Sequence, residues 1–185
     1  STYVQLKTVG ATNPNDPVEN ISITVSGTDG TQMEYEWQAG AFRINEIKDR
    51  NGNFISINHD SLGLLRTVTD TLGRVITVNY DNELYPTTIT QNWKTNNGSG
   101  TNTTHTYATL TYTTKQINPS FHSSLTVFGP TNNTTIRVLD KITYSSGAFT
   151  QFEYNDFGQV WKINNHAIDG HKLSHTSVNL QNPSA

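Results

Sequence analysis

A 21-residue period runs through the middle of the chain, and no other feature constrains the fold as strongly. Residues 47–63 laid over 68–84 put Asp49 on Asp70, Gly52 on Gly73, Ile55 on Ile76, Ile57 on Val78, His59 on Tyr80 and Asp60 on Asp81. A later stretch keeps the same frame: Ile142, Gly147, Phe152, Tyr154 and Gly158 match Ile47, Gly52, Ile57, His59 and Gly63. Ile89 follows Val68 by 21 residues, and Ile163 follows Ile142 by the same step. Agreement at so many positions exceeds what composition gives by chance. A repeat of this kind is one supersecondary unit that cannot bury its apolar face alone, so its neighbours must cover it.

Each unit reads as strand, tight turn, strand, turn. Residues 42–49 form the first strand, and Asn51-Gly52 supplies the φ > 0 pair of a hairpin turn. Residues 54–59 return with Ile55 and Ile57 on one face. Asp60-Ser61-Leu62-Gly63 turns the chain again, with Asp first and Gly last as a type I turn prefers. Residues 65–70, 74–80 and 87–90 continue the meander. Turn chemistry accounts for Asp49, Gly52, Asp60, Gly63, Asp70, Gly73, Asp81, Gly147 and Gly158. Composition agrees: 29 Thr and 21 Asn are poor helix formers. Charged residues are 15%, beside 8 Tyr, 7 Phe and 3 Trp, which is not the charged, aromatic-poor composition of disorder. The chain therefore reads as all-β, an antiparallel β-meander of 21-residue units with open edges.

Three phrases carry a resemblance: Lys48-Asp49-Arg50-Asn51-Gly52-Asn53, the run from Thr69-Asp70-Thr71-Leu72-Gly73-Arg74 through Val78-Asn79-Tyr80-Asp81, and Phe152-Glu153-Tyr154-Asn155-Asp156-Phe157-Gly158. They resemble RHS repeats, also called YD repeats, over residues 30–90 and 138–165. Asp29-Gly30-Thr31 with Tyr35 and Trp37 is similar to the lead-in before a first unit. The sequence departs from the pattern at His59 for Tyr, Leu84 for Gly and Asn155 for Asp, and throughout 91–137. The resemblance implies a long β-strip that spirals into a hollow shell. In bacterial toxins such a shell encloses a toxic C-terminal domain, and in animal teneurins it belongs to an adhesion ectodomain. Carried to this chain, it implies a shell segment of a large secreted or cell-surface bacterial protein whose partners are further repeats of the same parent chain.

The expected organisation is a lead-in β segment over 1–41, repeats over 42–90, an elaborated hairpin insertion over 91–137, a further repeat over 138–168 and a polar tail over 169–185. A few units of meander cannot close a barrel, so both edges stay open. The 185 residues thus read as a segment of something longer, and copies would be able to pair edge to edge. In the insertion, residues 92–104 read as a long loop and 106–117 as a strand, with a register shift near Ala108. Residues 121–128 read as a short strand, and 129–133 as a turn.

The net charge of −3 and the absence of a Lys/Arg cluster give no footprint for nucleic acid or an anionic membrane. No apolar run reaches the length of a membrane helix. Cysteine is absent, which excludes a disulfide scaffold and a thiol nucleophile. No metal or cofactor is expected. His171 and His175 lack the Glu of a zinc-protease motif, and Asp49, Asn51 and Asn53 lack the later ligands of a calcium loop. Gly98-Ser99-Gly100 lacks the remaining glycine of a phosphate cradle. With no catalytic signature, the expected role is structural and non-enzymatic: a wall that encloses or presents another domain. The alternative is a module that binds carbohydrate or a receptor through exposed aromatics, with Trp93 first and Tyr112, Tyr80, Trp37 and Trp161 behind it. Sheet aromatics more often pair across strands.

Overall fold

The computed structural model describes residues 5–9, 17, 21–94, 102–118 and 128–178. Every regular element among them is a strand. The strands are β1 (Gln5–Val9), β2 (Ser22–Ser26), β3 (Gln32–Gln38), β4 (Ala41–Lys48), β5 (Phe54–His59), β6 (Leu65–Asp70) and β7 (Val75–Tyr80). They continue as β8 (Pro86–Lys94), β9 (Asn102–Ile117), β10 (Thr134–Tyr144), β11 (Phe149–Tyr154), β12 (Val160–His166) and β13 (Lys172–Ser177). Their order in the sheet is their order in the sequence, and the sheet does not close on itself. The chain divides into two compact units, Ser1–Asn79 with Ile89–His105 and Tyr80–Thr88 with Thr106–Ala185.

The meander rests on one turn used again and again. Among the described residues, the turns Gly27–Gly30, Asp49–Gly52, Asp60–Gly63, Asp70–Gly73, Asp81–Leu84, Tyr144–Gly147, Asn155–Gly158 and Ala167–Gly170 share a hydrogen-bond pattern. The first residue accepts at its carbonyl from the fourth N–H, and donates its own N–H to the carbonyl just after the turn. The fourth residue always has a left-handed φ, between 67° and 88°. This is a type I turn followed by one left-handed residue, a standard three-residue hairpin loop. It corrects the expectation at Asn51-Gly52: only Gly52 has positive φ (88°), so the turn is not the two-residue mirror type. That type fits instead at Ala39 and Gly40, with φ of 48° and 79°.

Leu84 stands where the other turns of the repeat frame have Gly, and it still adopts φ 67°. A left-handed L-residue is strained by ~1–2 kcal/mol, partly offset by glycine's larger entropy loss on folding. The Leu84 side chain is 46% exposed, so little packing is lost by removing it. We expect Leu84→Gly to stabilise the chain by about 0.5–1 kcal/mol, read as a higher denaturation midpoint. A lower midpoint would mean that the leucine side chain holds the turn.

Bulges recur along the sheet, and two pairs of them lie 21 residues apart. One extra residue sits in a strand at Asn45, Arg66, Asp140, Trp161 and Leu173. Asn45 to Arg66 and Asp140 to Trp161 are each a step of 21 residues. The β9–β10 shift falls at Asp140, not near Ala108, which pairs in register with Tyr144. β8 and β9 reach into the stretch expected to be loop, leaving residues 95–101 outside the described set, as are 121–127 of the expected short strand. The 129–133 turn is present, with Thr134 N–H donating to the Thr131 carbonyl. Part of the expected polar tail is strand β13, whose residues are all exposed.

Burial is thin. Among the described residues, Ala108, Ile117 and Val138 are the buried apolar side chains, with Thr150 and Asn164 as buried polar ones, and no large side chain is completely buried. Thr and Asn thus occupy sites that a thicker core would give to Leu or Ile.

Candidate functional site

The Asp residues of the repeat frame act as caps. The Asp60 carboxylate accepts from the N–H groups of Leu62 and Leu64, both at 2.9 Å. Asp70 accepts from Leu72 and Arg74 at 3.0 Å each, and Asp81 from Glu83 and Tyr85 at 2.9 and 3.0 Å. Asp49 does the same for Asn51 and Asn53 at 2.8 and 2.9 Å. Asn155 replaces Asp without loss of the motif, its side-chain oxygen accepting from Phe157 and Gln159 at 3.0 Å each. The ionised carboxylate is the better acceptor, so all four aspartates are held below the ordinary carboxylate range. The chief causes are the Asn53 side chain for Asp49 and the Leu64 amide for Asp60. For Asp70 and Asp81 they are the Arg74 side chain and the Tyr85 amide. Their stabilisation is complete above the unfolded carboxylate pKa and is lost as pH falls through the lowered folded values.

The five predicted aromatics each meet their own neighbours. Trp37 packs edge-on against Phe42 across the β3–β4 turn, with centroids 5.2 Å apart. Trp93, at the end of β8 and 39% exposed, lies flat on His105, centroids 3.3 Å apart and planes within 5°. Trp161 is the half-buried bulge residue of β12, with the Lys162 ammonium 5.2 Å from its ring. Tyr80 is half-buried at the end of β7. Tyr112 donates its hydroxyl to the Pro86 carbonyl at 2.8 Å and meets Tyr85 edge-on at 5.0 Å.

Around Tyr112 lies a cluster that sequence reasoning missed. Arg137 on β10 places its guanidinium 4.4 Å from the Tyr85 ring centroid and 4.8 Å from that of Tyr112. Its two arms pair with the carboxylates of Asp81 and Glu83. One side chain thereby ties the Asp81–Leu84 turn, strained at Leu84, to strand β10. The planar fork suits this double pairing and the stacking together, which a lysine would not reproduce. The signal was absent from the sequence because Arg137 lies over fifty residues from its carboxylate partners.

His59 stands where the repeat frame has Tyr80. Its Nδ1 is buried without a hydrogen-bond partner. Burial pushes its pKa below the ordinary 6.5, Arg43 adds to the fall, and Asp60 opposes it. A folded pKa below the unfolded one means that the unfolded chain takes up the proton first. The contribution of His59 is therefore intact above pH 6.5 and is lost as pH falls from there towards the lowered folded value. We expect His59→Gln to flatten the fall in denaturation midpoint over that window. An unchanged slope would show that His59 does not contribute to it.

Among the described residues no three His, Cys, Asp or Glu side chains are placed to hold a metal ion. The aromatic clusters offer stacking surfaces and the capped turns offer shape.

No family model matches the chain, and no curated protein does.

The reading of its role therefore rests on the repeated capped turns and on the distribution of its aromatic rings.

Proposed function

We propose that the chain is a non-catalytic wall segment of an RHS-type β-shell, part of a large secreted or cell-surface bacterial protein that encloses or presents another domain, such as a toxin. What carries this reading is the recurrence of one Asp- or Asn-capped, left-handed-ended turn at the 21-residue frame positions, with two pairs of bulges each separated by that length. The thin burial supports it: a sheet with three buried apolar side chains among its described residues needs further surface to cover it, as repeat arrays do. The partners on this reading are further repeats of the same parent chain. The test is the size of the native polypeptide, read by immunoblot with an antibody to this chain. A band far above 20.6 kDa is expected, and one near that mass would overturn the reading.

A second reading is a carbohydrate- or receptor-binding module. It is favoured by Trp93, a large aromatic left 39% exposed at a strand end beside an Asn-, Gly- and Thr-rich stretch. On this reading Trp93→Ala abolishes binding on a glycan array; retained binding by that variant would sink it.

A further inference from the structure

We infer that Asn51 is a modification site, where the folded chain loses a side-chain amide and gains an aspartate or isoaspartate. The inference is independent of the shell reading and rests on the geometry of three turns. Gly27–Gly30, Asp49–Gly52 and Ala167–Gly170 each place an Asp or Asn directly before a left-handed glycine. An acyl group on that side chain stands one residue from an unhindered glycine amide nitrogen, the arrangement that closes a five-membered imide.

The three turns differ in who caps them. The first turn begins with Gly27, which has no side chain to cap with, so the Asp29 carboxylate takes the Thr31 N–H at 2.9 Å. The last begins with Ala167, so the Asp169 carboxylate takes the His171 N–H at 2.9 Å. Both carboxylates are thus held by an amide two residues on. Asp29 is also held ionised, below its ordinary range, chiefly by that same Thr31 amide, and a carboxylate is a poor acyl donor. In the middle turn Asp49 stands first and takes both available amides, those of Asn51 and Asn53. The Asn51 side chain holds no backbone amide and meets only the Asp49 carboxylate, at an exposed turn tip. It is neutral and has ammonia as a leaving group.

The step balances without any co-reactant but water. The Gly52 backbone nitrogen loses its proton to solvent and forms a bond to the Asn51 side-chain carbonyl carbon. The bond from that carbon to the side-chain nitrogen breaks, and ammonia leaves with the proton. Water then opens the imide at either carbonyl, which gives aspartate or isoaspartate. The native turn restrains the step, because the Gly52 N–H is donated to the Asp49 carbonyl at 3.1 Å and must be released by local opening. The isoaspartate product adds a backbone atom inside a three-residue loop and adds a carboxylate beside Asp49.

The test is to hold the folded full chain at mildly alkaline pH, digest it under mildly acidic conditions, and map mass and isoaspartate along it. We expect the amide-to-carboxyl mass change with isoaspartate at Asn51, and ordinary linkages at Asp29 and Asp169. Asn51→Gln should remove the signal at this position while leaving the far-ultraviolet dichroism unchanged. Two results would overturn the inference: Asn51 intact under conditions that convert a free peptide spanning residues 49–53, or isoaspartate appearing equally at Asp29 and Asp169.

Discussion

Replacing Ile117 with alanine is expected to cost the chain about 2–4 kcal/mol, the usual range for emptying a large aliphatic site. Ile117 is 3% exposed, in a chain with few buried apolar side chains among its described residues. It closes the end of β9 against the Asn155–Gly158 turn. A Cβ built on Gly158 would lie 3.2 Å from the Ile117 side chain and 2.9 Å from that of Ile136. The backbone ties the same place together: Asn133 N–H donates to the Ile117 carbonyl and Asn118 N–H to the Asp156 carbonyl, each at 2.9 Å. With so little core, loss of this site cannot be spread over neighbours. The contrast is Leu72→Ala at a turn tip 78% exposed, which should change stability by less than about 0.5 kcal/mol. Denaturant titration of both variants checks the pair. Similar small losses would mean that the site collapses freely around the missing atoms.

The turns were legible in the sequence because their chemistry is local. An Asp or Asn whose side chain caps amides two and four residues on, and a Gly that takes a left-handed φ, sit within five consecutive residues, so the frame at Asp60–Gly63 and Asp70–Gly73 announces itself. Even the departures were readable: Leu84 and Asn155 keep the geometry of Gly and Asp. What escaped was long-range or patternless. Arg137 meets Asp81, Glu83, Tyr85 and Tyr112 only because strands far apart in sequence converge. The bulge at Asp140 is set by pairing with β9, which alternation within one strand does not reveal. β13 carries one apolar residue, Leu173, so it lacks the period-two signal that marks a half-buried strand. The five aromatics lie on strands β3, β7, β8, β9 and β12. Their neighbours, such as His105 under Trp93, follow from cross-strand register rather than from spacing.

Gly30→Ala should cost about 2–3 kcal/mol, against about 1 kcal/mol for Gly73→Ala. Both glycines end the same kind of turn, with φ of 85° and 76°, so the backbone strain of a left-handed alanine is common to the two. They differ in what a methyl group would meet. At Gly73 nothing lies within 4 Å, whereas at Gly30 the Arg50 Cβ would be 2.7 Å away and its Cα 3.6 Å. A clash with the base of a side chain cannot be relieved by swinging its far end. Either the Gly27–Gly30 turn or the Asp49–Gly52 turn must move. The difference between the two variants, read from their denaturation midpoints at equal m-value, isolates this close approach of one turn to the next. Equal losses at the two sites would show that the turns slide past each other freely. The repeated turn would then set only the local path of the chain. A larger loss at Gly30 means that successive turns lock together, so a repeat that misplaces one turn strains the next.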